Sequence, residues 1–557
     1  MKLYEAIADS LVAEGVDTLF GLMGDGNMSL WGALGTAGKI NIISSRNEAA
    51  AVAMADGYAK TTGKVGVATV TCGPGLTQVG TSLLVAARGR APIVLIIGEI
   101  PKGAKNNLQS MDQRKFVEAC EARFVTVTSV DNAAEEIAEA FYAARVHRTP
   151  VVLNLPIDLQ EKSFDWDWEY RPSQSVLPPL IEAPSEAALT PVMEKLAAAE
   201  RPVIIAGRGA RQAKDAILRL AARTGALLAT SLQAKGLFSG EEYDLGISGA
   251  FASAPSEALL ADADFVLAVG AELGYYTSEG GLMFPQAEVA RIDIRPYPDA
   301  IGVLPGLYVR GDAGQAVTAL EAMLASRQVR KTGFRTAETK ATLTAPAHAF
   351  PSPNDGLDPR VLARQLSKAL PKGILLTSGA GHFFSFPAMY TALPAESELQ
   401  LSYHFGAVGQ GLPVAIGVGA GNPGRPHVAI EGDGSLMMNL QELDTVTRYN
   451  MQMVLIIWND GGFGAEVHKL SVKGFDVGLA QWRSPDFVAL AKSFGGDGVR
   501  LTKESDIGEA VATGLRQGGL YLIDARVSPT TASDPYSKVH HGIENHAPRL
   551  APHATVA

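Results

Sequence analysis

The sequence predicts an α/β protein built from three blocks, each a mostly parallel sheet covered by helices. Three observations carry that reading. Strand-length apolar runs alternate with helical patterns along most of the chain, as in βαβ units. Glycine-rich turns follow several of those runs, where a strand hands over to a helix. The 557 residues suffice for about three or four domains of ordinary size.

The first block, residues 1–170, opens with MKLYEAIADSLVAEGV, in which Glu5, Asp9 and Glu14 interrupt the apolar pattern. It reads as an amphipathic helix and not as a signal peptide. A helix is expected at residues 48–61, with strands at 65–70, 93–97 and 151–155. A stretch rich in Pro, Ser and Glu, residues 171–186, reads as a linker. The second block, 187–326, carries expected strands at 203–206, 265–269 and 289–294. A second linker, 327–359, leads to the third block, 360–530, whose last strand is expected at 520–527; residues 531–557 form a tail. The first and third blocks have similar layouts.

Composition narrows the function. With 47% hydrophobic and 19% charged residues the chain can bury large cores. A net charge of −10 argues against a nucleic-acid partner. Two cysteines, Cys72 and Cys120, exclude a disulfide scaffold or a cysteine zinc site and fit a reducing, cytoplasmic setting. Apolar runs such as IVLIIG and VLIIW are strand-sized, and none approaches the roughly 18 residues of a membrane span.

The chemistry concentrates between Glu431 and Gly464. Gly432-Asp433-Gly434 opens this stretch, and a helical pattern runs from Met437 to about Tyr449. An apolar strand at 453–458 then leads into Asn459-Asp460-Gly461-Gly462. A glycine turn feeding a helix N-terminus offers backbone N–H groups to an anion. Asp433 and Asp460 are expected at the ends of two neighbouring strands, where two hard carboxylate oxygens beside a phosphate-binding turn suit Mg²⁺. The residues alone read as a magnesium–diphosphate site.

This GDG segment, helix and ND pair resemble the cofactor motif of thiamine diphosphate (ThDP) enzymes. Nearly the whole chain resembles the superfamily of acetolactate synthase, benzaldehyde lyase and pyruvate decarboxylase. The resemblance implies three doubly wound parallel-sheet α/β domains: pyrimidine-binding, central and diphosphate-binding. It implies Asp433, Asp460 and the carbonyl of Gly462 as metal ligands, with Asp460 where relatives more often carry Asn. Gly432, Gly434 and Ser435 then belong to the diphosphate side.

The segment NEAAAVAMADGYA around Glu48 resembles the family stretch whose glutamate meets the aminopyrimidine of ThDP. A carboxyl there hydrogen-bonds the ring nitrogen; the cofactor carries the hard step, and the protein supplies orientation and a tuned proton donor. Taken alone, a glutamate in a first helical turn reads as a helix-dipole partner. Gly406-Ala407-Val408-Gly409 with Gly411-Leu412-Pro413 resembles the family's GxMGxGLP turn. By that match Gly406 offers its carbonyl to the pyrimidine amino group and Val408 is the wedge that folds the cofactor. Gly73-Pro74-Gly75 resembles the GPG loop beside the pyrimidine, with Gln78 where many relatives have Asn. Gly381-His382 resembles a diphosphate-side segment, although Ser378 replaces a frequent aspartate.

Substrate contacts follow less directly. Glu466 matches a glutamate that decarboxylases place over the thiazolium, and Asp25 matches their N-terminal aspartate. Two carboxyls crowding a nearly dry cofactor push at least one pKa upward, giving a proton donor at neutral pH. Without the match, Asp25 reads as a helix N-cap, and Glu466 and His468 as residues of a solvated helix. The paired histidines of decarboxylases are absent; Met111-Asp112-Gln113 stands there, and Gln113 resembles the glutamine of the synthase and benzaldehyde lyase groups.

Gly207-Arg208-Gly209 is a fragment of a dinucleotide fingerprint, but Gln212 occupies the third glycine position. A tight strand–helix turn is expected, and neither FAD nor ADP is predicted there. In the tail, His540, His541 and His546, with Asp534 and Glu544, lack metal-site spacing and read as a surface segment; relatives use this tail as a lid. The combined expectation is a homodimer or homotetramer in which Glu48 faces Asp433 of the partner subunit. It would act on a 2-oxo acid or aldehyde, first as an acetolactate synthase-like carboligase, then as a simple decarboxylase, then as a lyase of 2-hydroxy ketones or 2-hydroxyacyl-CoA. A catalytically silent ThDP-binding regulatory module is the reading from another class.

Overall fold

The computed structural model describes residues 1–541 apart from 102, 105, 178–182, 296–302, 326, 328, 330–332 and 346–348. Three six-stranded sheets follow one another along the chain. The first holds β1 (Thr18–Gly21), β2 (Asn41–Ser44), β3 (Gly66–Val70), β4 (Ile93–Glu99), β5 (Arg123–Thr126) and β6 (Pro150–Pro156), in the order β2-β1-β3-β4-β6-β5. The second holds β7 (Pro202–Ala206), β8 (Leu227–Thr230), β9 (Asp244–Ile247), β10 (Phe265–Val269), β11 (Glu288–Asp293) and β12 (Leu307–Arg310), in the doubly wound order β12-β11-β10-β7-β8-β9. The third holds β13 (Leu375–Ser378), β14 (Glu398–Leu401), β15 (His427–Gly432), β16 (Met453–Asn459), β17 (Asp497–Arg500) and β18 (Leu520–Arg526). Its order, β14-β13-β15-β16-β18-β17, repeats that of the first sheet.

Every pairing between these strands is parallel. Parallel sheets are covered on both faces, which is why β4 and β16 read as unbroken apolar runs and are buried along nearly their whole length. In the central sheet, Gly207 after β7 lies against the carbonyl of Gly270 after β10 so closely that a Cβ would overlap it. That contact accounts for the glycine at the start of this turn.

The helix Glu48–Thr62 is buried without interruption from Ala50 to Ala59. Such all-round burial needs a second surface beyond its own sheet, and the helix Gly411–Ala420 of the third domain supplies it. Gly57 meets the carbonyl of Val414, and Gly417 meets that of Met54; a Cβ at either glycine would overlap the oxygen. One continuous core therefore runs from Ala51 and Met54 through Leu412 and Ile416 to Leu436 and Leu455. Gly417→Ala is expected to destabilise the fold by about 1–3 kcal/mol, the cost of overpacking a filled core; thermal denaturation followed by circular dichroism measures it.

The structure revises three expectations. The helix expected from Met437 to about Tyr449 is two helices, Asp433–Met438 and Glu442–Arg448. They break at Asn439, which leaves helical geometry (φ −136°) and sends its side-chain amide to the carbonyl of Gly409 at 2.6 Å. The second linker contains a helix of its own, Ala337–Thr344, and the buried ring of Phe334. The tail begins as a docked helix, Asp534–His541, in which Lys538 is buried against Glu257 and Glu279 of the central domain. His546, Glu544 and the side chains of His540 and His541 lie outside the described residues. No helix among the described residues is long and apolar enough to cross a membrane.

Candidate functional site

The residues singled out in the sequence gather at the carboxyl ends of strands in the first and third sheets. In open α/β sheets those ends form the ligand crevice. Asp25 follows β1, Glu48 follows β2 and Gly73 follows β3; His382 follows β13, Asp433 follows β15 and Asp460 follows β16.

Strands β15 and β16 are neighbours, with Gly432 opposite Trp458, so Asp433 and Asp460 stand side by side as expected. Asp433 is buried. Its Oδ2 accepts hydrogen bonds from the indole of Trp482 and the hydroxyl of Ser484, both at 3.0 Å, while its Oδ1 finds no donor among the described residues. Burial raises the pKa of both carboxyls, and for Asp460 the adjacent Asp433 charge raises it further. A buried and a half-buried carboxylate sharing a site, with an oxygen left over, fit a divalent cation. Gly464 lies so close to Asp460 that a side chain there would strike the carboxylate. Trp482 and Ser484 escape a sequence reading because they lie in a separate loop with no motif of their own.

Beside this pair, the hydroxyl of Ser435 accepts from the backbone N–H of Gly409 at 3.0 Å. With the Asn439 amide on the Gly409 carbonyl, both backbone polar groups of Gly409 are held, which fixes the turn carrying Gly406 and Val408. Gly406 adopts a left-handed conformation (φ 67°) and is exposed; Val408 is half-buried. Sequence reasoning passed over Glu431. Its carboxyl is buried between Gly379 and Gly411, accepts from the Leu412 N–H at 2.7 Å, and is pushed up to about 7 by burial.

In the first domain, Glu48 is the first residue of its helix, capped by the Asn47 side chain, which accepts from the Ala49 N–H at 2.8 Å. Its carboxylate makes no hydrogen bond or ion pair among the described residues. It faces the Gly73-Pro74-Gly75 turn: a Cβ on Gly75 would stand 3.6 Å from Glu48 Oε1. The third domain of the same chain clamps the start of this helix. The Arg46 N–H donates to Glu442 at 2.9 Å, the Ser44 N–H to the Tyr449 hydroxyl at 2.7 Å, and the Ser82 hydroxyl reaches Gln410 at 3.0 Å.

Gln113 is buried and fully engaged. Its oxygen accepts from the Gly73 N–H at 3.1 Å, and its nitrogen donates to the Gly98 carbonyl and to Asn154, each at 3.1 Å. It holds the Gly73 turn from behind. Asp25 is exposed and does not cap the following helix; Asn27 occupies that position, with its oxygen on the Gly24 N–H at 2.8 Å.

Glu466 is exposed on the helix Gly464–Val472, 3.7 Å from Lys469, and borders a cavity of about 360 Å³ together with Phe463, Lys473, Phe475 and Leu479. Two positions on, towards the other side of the helix, His468 is half-buried, with its pKa lowered by that burial, and its ring lies 4.5 Å from that of His382. His382 Nε2 accepts from the Ser533 N–H at 3.2 Å, and the Tyr536 ring sits 5.2 Å away. The docked tail thus covers the His382 side. No bond among the described residues links Asp25 to Glu466.

Comparison with known proteins gives the family. Residues 1–119 match the family described as thiamine pyrophosphate enzyme, N-terminal TPP binding domain. Residues 189–320 match the corresponding central domain, and 379–525 the C-terminal TPP binding domain. A probable 2-ketoarginine decarboxylase (AruI) of Pseudomonas aeruginosa is 31% identical, covering 94% of this chain and 93% of its own. The acetolactate synthase isozyme 2 large subunit of Escherichia coli is 28% identical, with 94% of each chain covered. A probable acetolactate synthase large subunit of Methanocaldococcus jannaschii is also 28% identical, over 96% of this chain and 93% of its own. With one family description on each of the three sheets and similarity along almost the entire length, the chain belongs to the thiamine diphosphate-dependent enzymes of the superfamily that contains the acetolactate synthases.

Proposed function

We propose that this enzyme is a ThDP- and Mg²⁺-dependent carboligase acting on a 2-oxo acid in the manner of an acetolactate synthase. The observation that supports the cofactor's place is buried Asp433, with one oxygen unpartnered among the described residues, beside Asp460 at the strand ends next to a glycine turn. Asp433, Asp460 and the Gly462 carbonyl would hold the metal, and Gly432, Gly434, Ser435, Gly381 and His382 would border the diphosphate. Bound ThDP supplies a carbon nucleophile for the substrate carbonyl and accepts the electron pair left when CO₂ departs.

The chain's own residues do the rest. Glu48, whose carboxylate faces the Gly75 turn, would hold a proton at the aminopyrimidine. The Gly406 carbonyl would orient the amino group, and Val408 would pack against the bound cofactor as its wedge. Asp25 and Glu466 would supply the proton, to the acceptor's carbonyl oxygen as the new carbon–carbon bond forms or, in a simple decarboxylase, to the carbon that has lost CO₂. Gln113, whose amide is committed to Gly73, acts as a positioning residue.

A homodimer or homotetramer completes the site. Asp25 is flanked by the exposed side chains of Met23 and Met28, and the Asp433 turn is followed by exposed Met437 and Met438. Apolar side chains left open at both halves of a site support their being covered by a second copy.

Gln113 in place of paired histidines and the acetolactate synthases among the relatives favour carboligation. A simple decarboxylase is the second reading, favoured by the position of Glu466 beside an open cavity. The test is incubation of the purified protein with ThDP, Mg²⁺ and pyruvate or benzoylformate, with products separated by chromatography. Acetolactate or an acyloin is expected. Free aldehyde as sole product selects the decarboxylase. No CO₂, with cleavage of a 2-hydroxy ketone, selects the lyase, and no turnover of any substrate leaves the silent module.

A further inference from the structure

We propose that the cavity beside Glu466 takes the side chain of the donor 2-oxo acid, and that this side chain is apolar along its length and ends in a carboxylate bound by Lys473. The inference rests on the ThDP reading above, which puts the reacting carbonyl at Glu466. A volume of about 360 Å³ is that of a small-ligand site and exceeds what the methyl group of pyruvate needs. The cavity's apolar members stand in water: Phe475 is 61% and Leu479 78% exposed, and Phe463 lies beside them. Large apolar side chains clustered in the open mark a surface awaiting a ligand.

The charges are ordered along one helix face. Glu466, Lys469, Leu470 and Lys473 follow one another at helical spacing and all line the cavity. At about 1.5 Å of rise per residue, Lys473 stands about 10 Å beyond Glu466. Lys469 is already paired with Glu466. Lys473 makes no ion pair among the described residues. Asp476, the nearest acid in sequence on the far side, turns its carboxylate to the Gly478 N–H at 2.9 Å and closes the turn there. A substrate reacting at Glu466 and extending along this face therefore meets an apolar wall and then an unmatched cation. A carboxylate end complements that cation, and an ammonium or guanidinium end opposes it.

The test compares 2-oxooctanoate, 2-oxooctanedioate and 8-amino-2-oxooctanoate as donors for the holoenzyme, by CO₂ release. A parallel titration follows the fluorescence of Trp482, whose ring lies 4.8 Å from that of Phe463, with the unreactive octanedioate as ligand. The dioate is expected to show a KM about five-fold below that of the methyl-ended acid, the size of a partly exposed ion pair, and the amino-ended acid a higher one. Lys473→Met should erase the dioate's advantage, and Lys473→Glu should transfer it to the amino-ended acid. CO₂ release with equal KM for all three acids overturns the tail assignment and leaves the cofactor reading standing. No CO₂ from these acids, pyruvate or benzoylformate overturns both. A changed oligomeric state in Lys473→Glu, by light scattering, with unaltered tail preference makes the cavity a contact between copies and also overturns the proposal.

Discussion

Replacing Glu48 by Gln is expected to lower kcat by roughly 10²–10⁴-fold, the range for losing a positioned proton donor, with little change in melting temperature. The isolation of this carboxylate makes the substitution clean. Glu48 bonds to nothing among the described residues, its helix is capped by Asn47, and the surrounding clamps run through Arg46, Ser44 and Ser82. A neutral side chain of the same shape forfeits only a helix-dipole contribution of about 0.3–1 kcal/mol. Steady-state kinetics beside a calorimetric ThDP titration separate the two effects. Undiminished turnover in the variant would end the assignment of this glutamate.

The carboxylate pair gives the second large effect, and its sign can be worked out. Without metal, both Asp433 and Asp460 have raised pKa values, so the folded chain keeps protons that the unfolded chain has already released. Stability of the metal-free protein must then fall as pH rises from the ordinary aspartate range through the raised values. Mg²⁺ offsets that loss, so the melting-temperature gain from Mg²⁺ with ThDP should grow from acid towards neutral pH. Asp433→Ala should remove the gain and reduce turnover by at least about 10²-fold. Asp460→Asn keeps an oxygen ligand but removes one of the two facing charges. It should raise the neutral-pH melting temperature of the metal-free protein and flatten the pH dependence of the Mg²⁺ gain. A gain that is independent of pH, or that persists in Asp433→Ala, would show the cation to be held elsewhere.

What the sequence made legible follows from how local each signal is. Strands buried on both faces write their burial into consecutive residues, so β4, β10 and β16 were readable almost to the residue. Glu48 and the Asp433–Asp460 pair were legible because each sits in a glycine- or alanine-rich frame that tight turns and close helices demand. The break at Asn439 was invisible, since its cause, the carbonyl of Gly409, lies 30 residues earlier. Trp482 and Ser484 were missed for the same reason: their bonds to Asp433 exist only once the chain has folded back. Gln113 could be marked from its position, but its work on Gly73 depends on three partners scattered along the first domain.

The glycine-to-carbonyl crossing of residues 48–62 on 411–420 also bears on protein engineering. A chimera that grafts the opening domain of a relative onto this scaffold would import a helix cut for a different groove. Donor segments of the two helices should therefore be exchanged as a matched set.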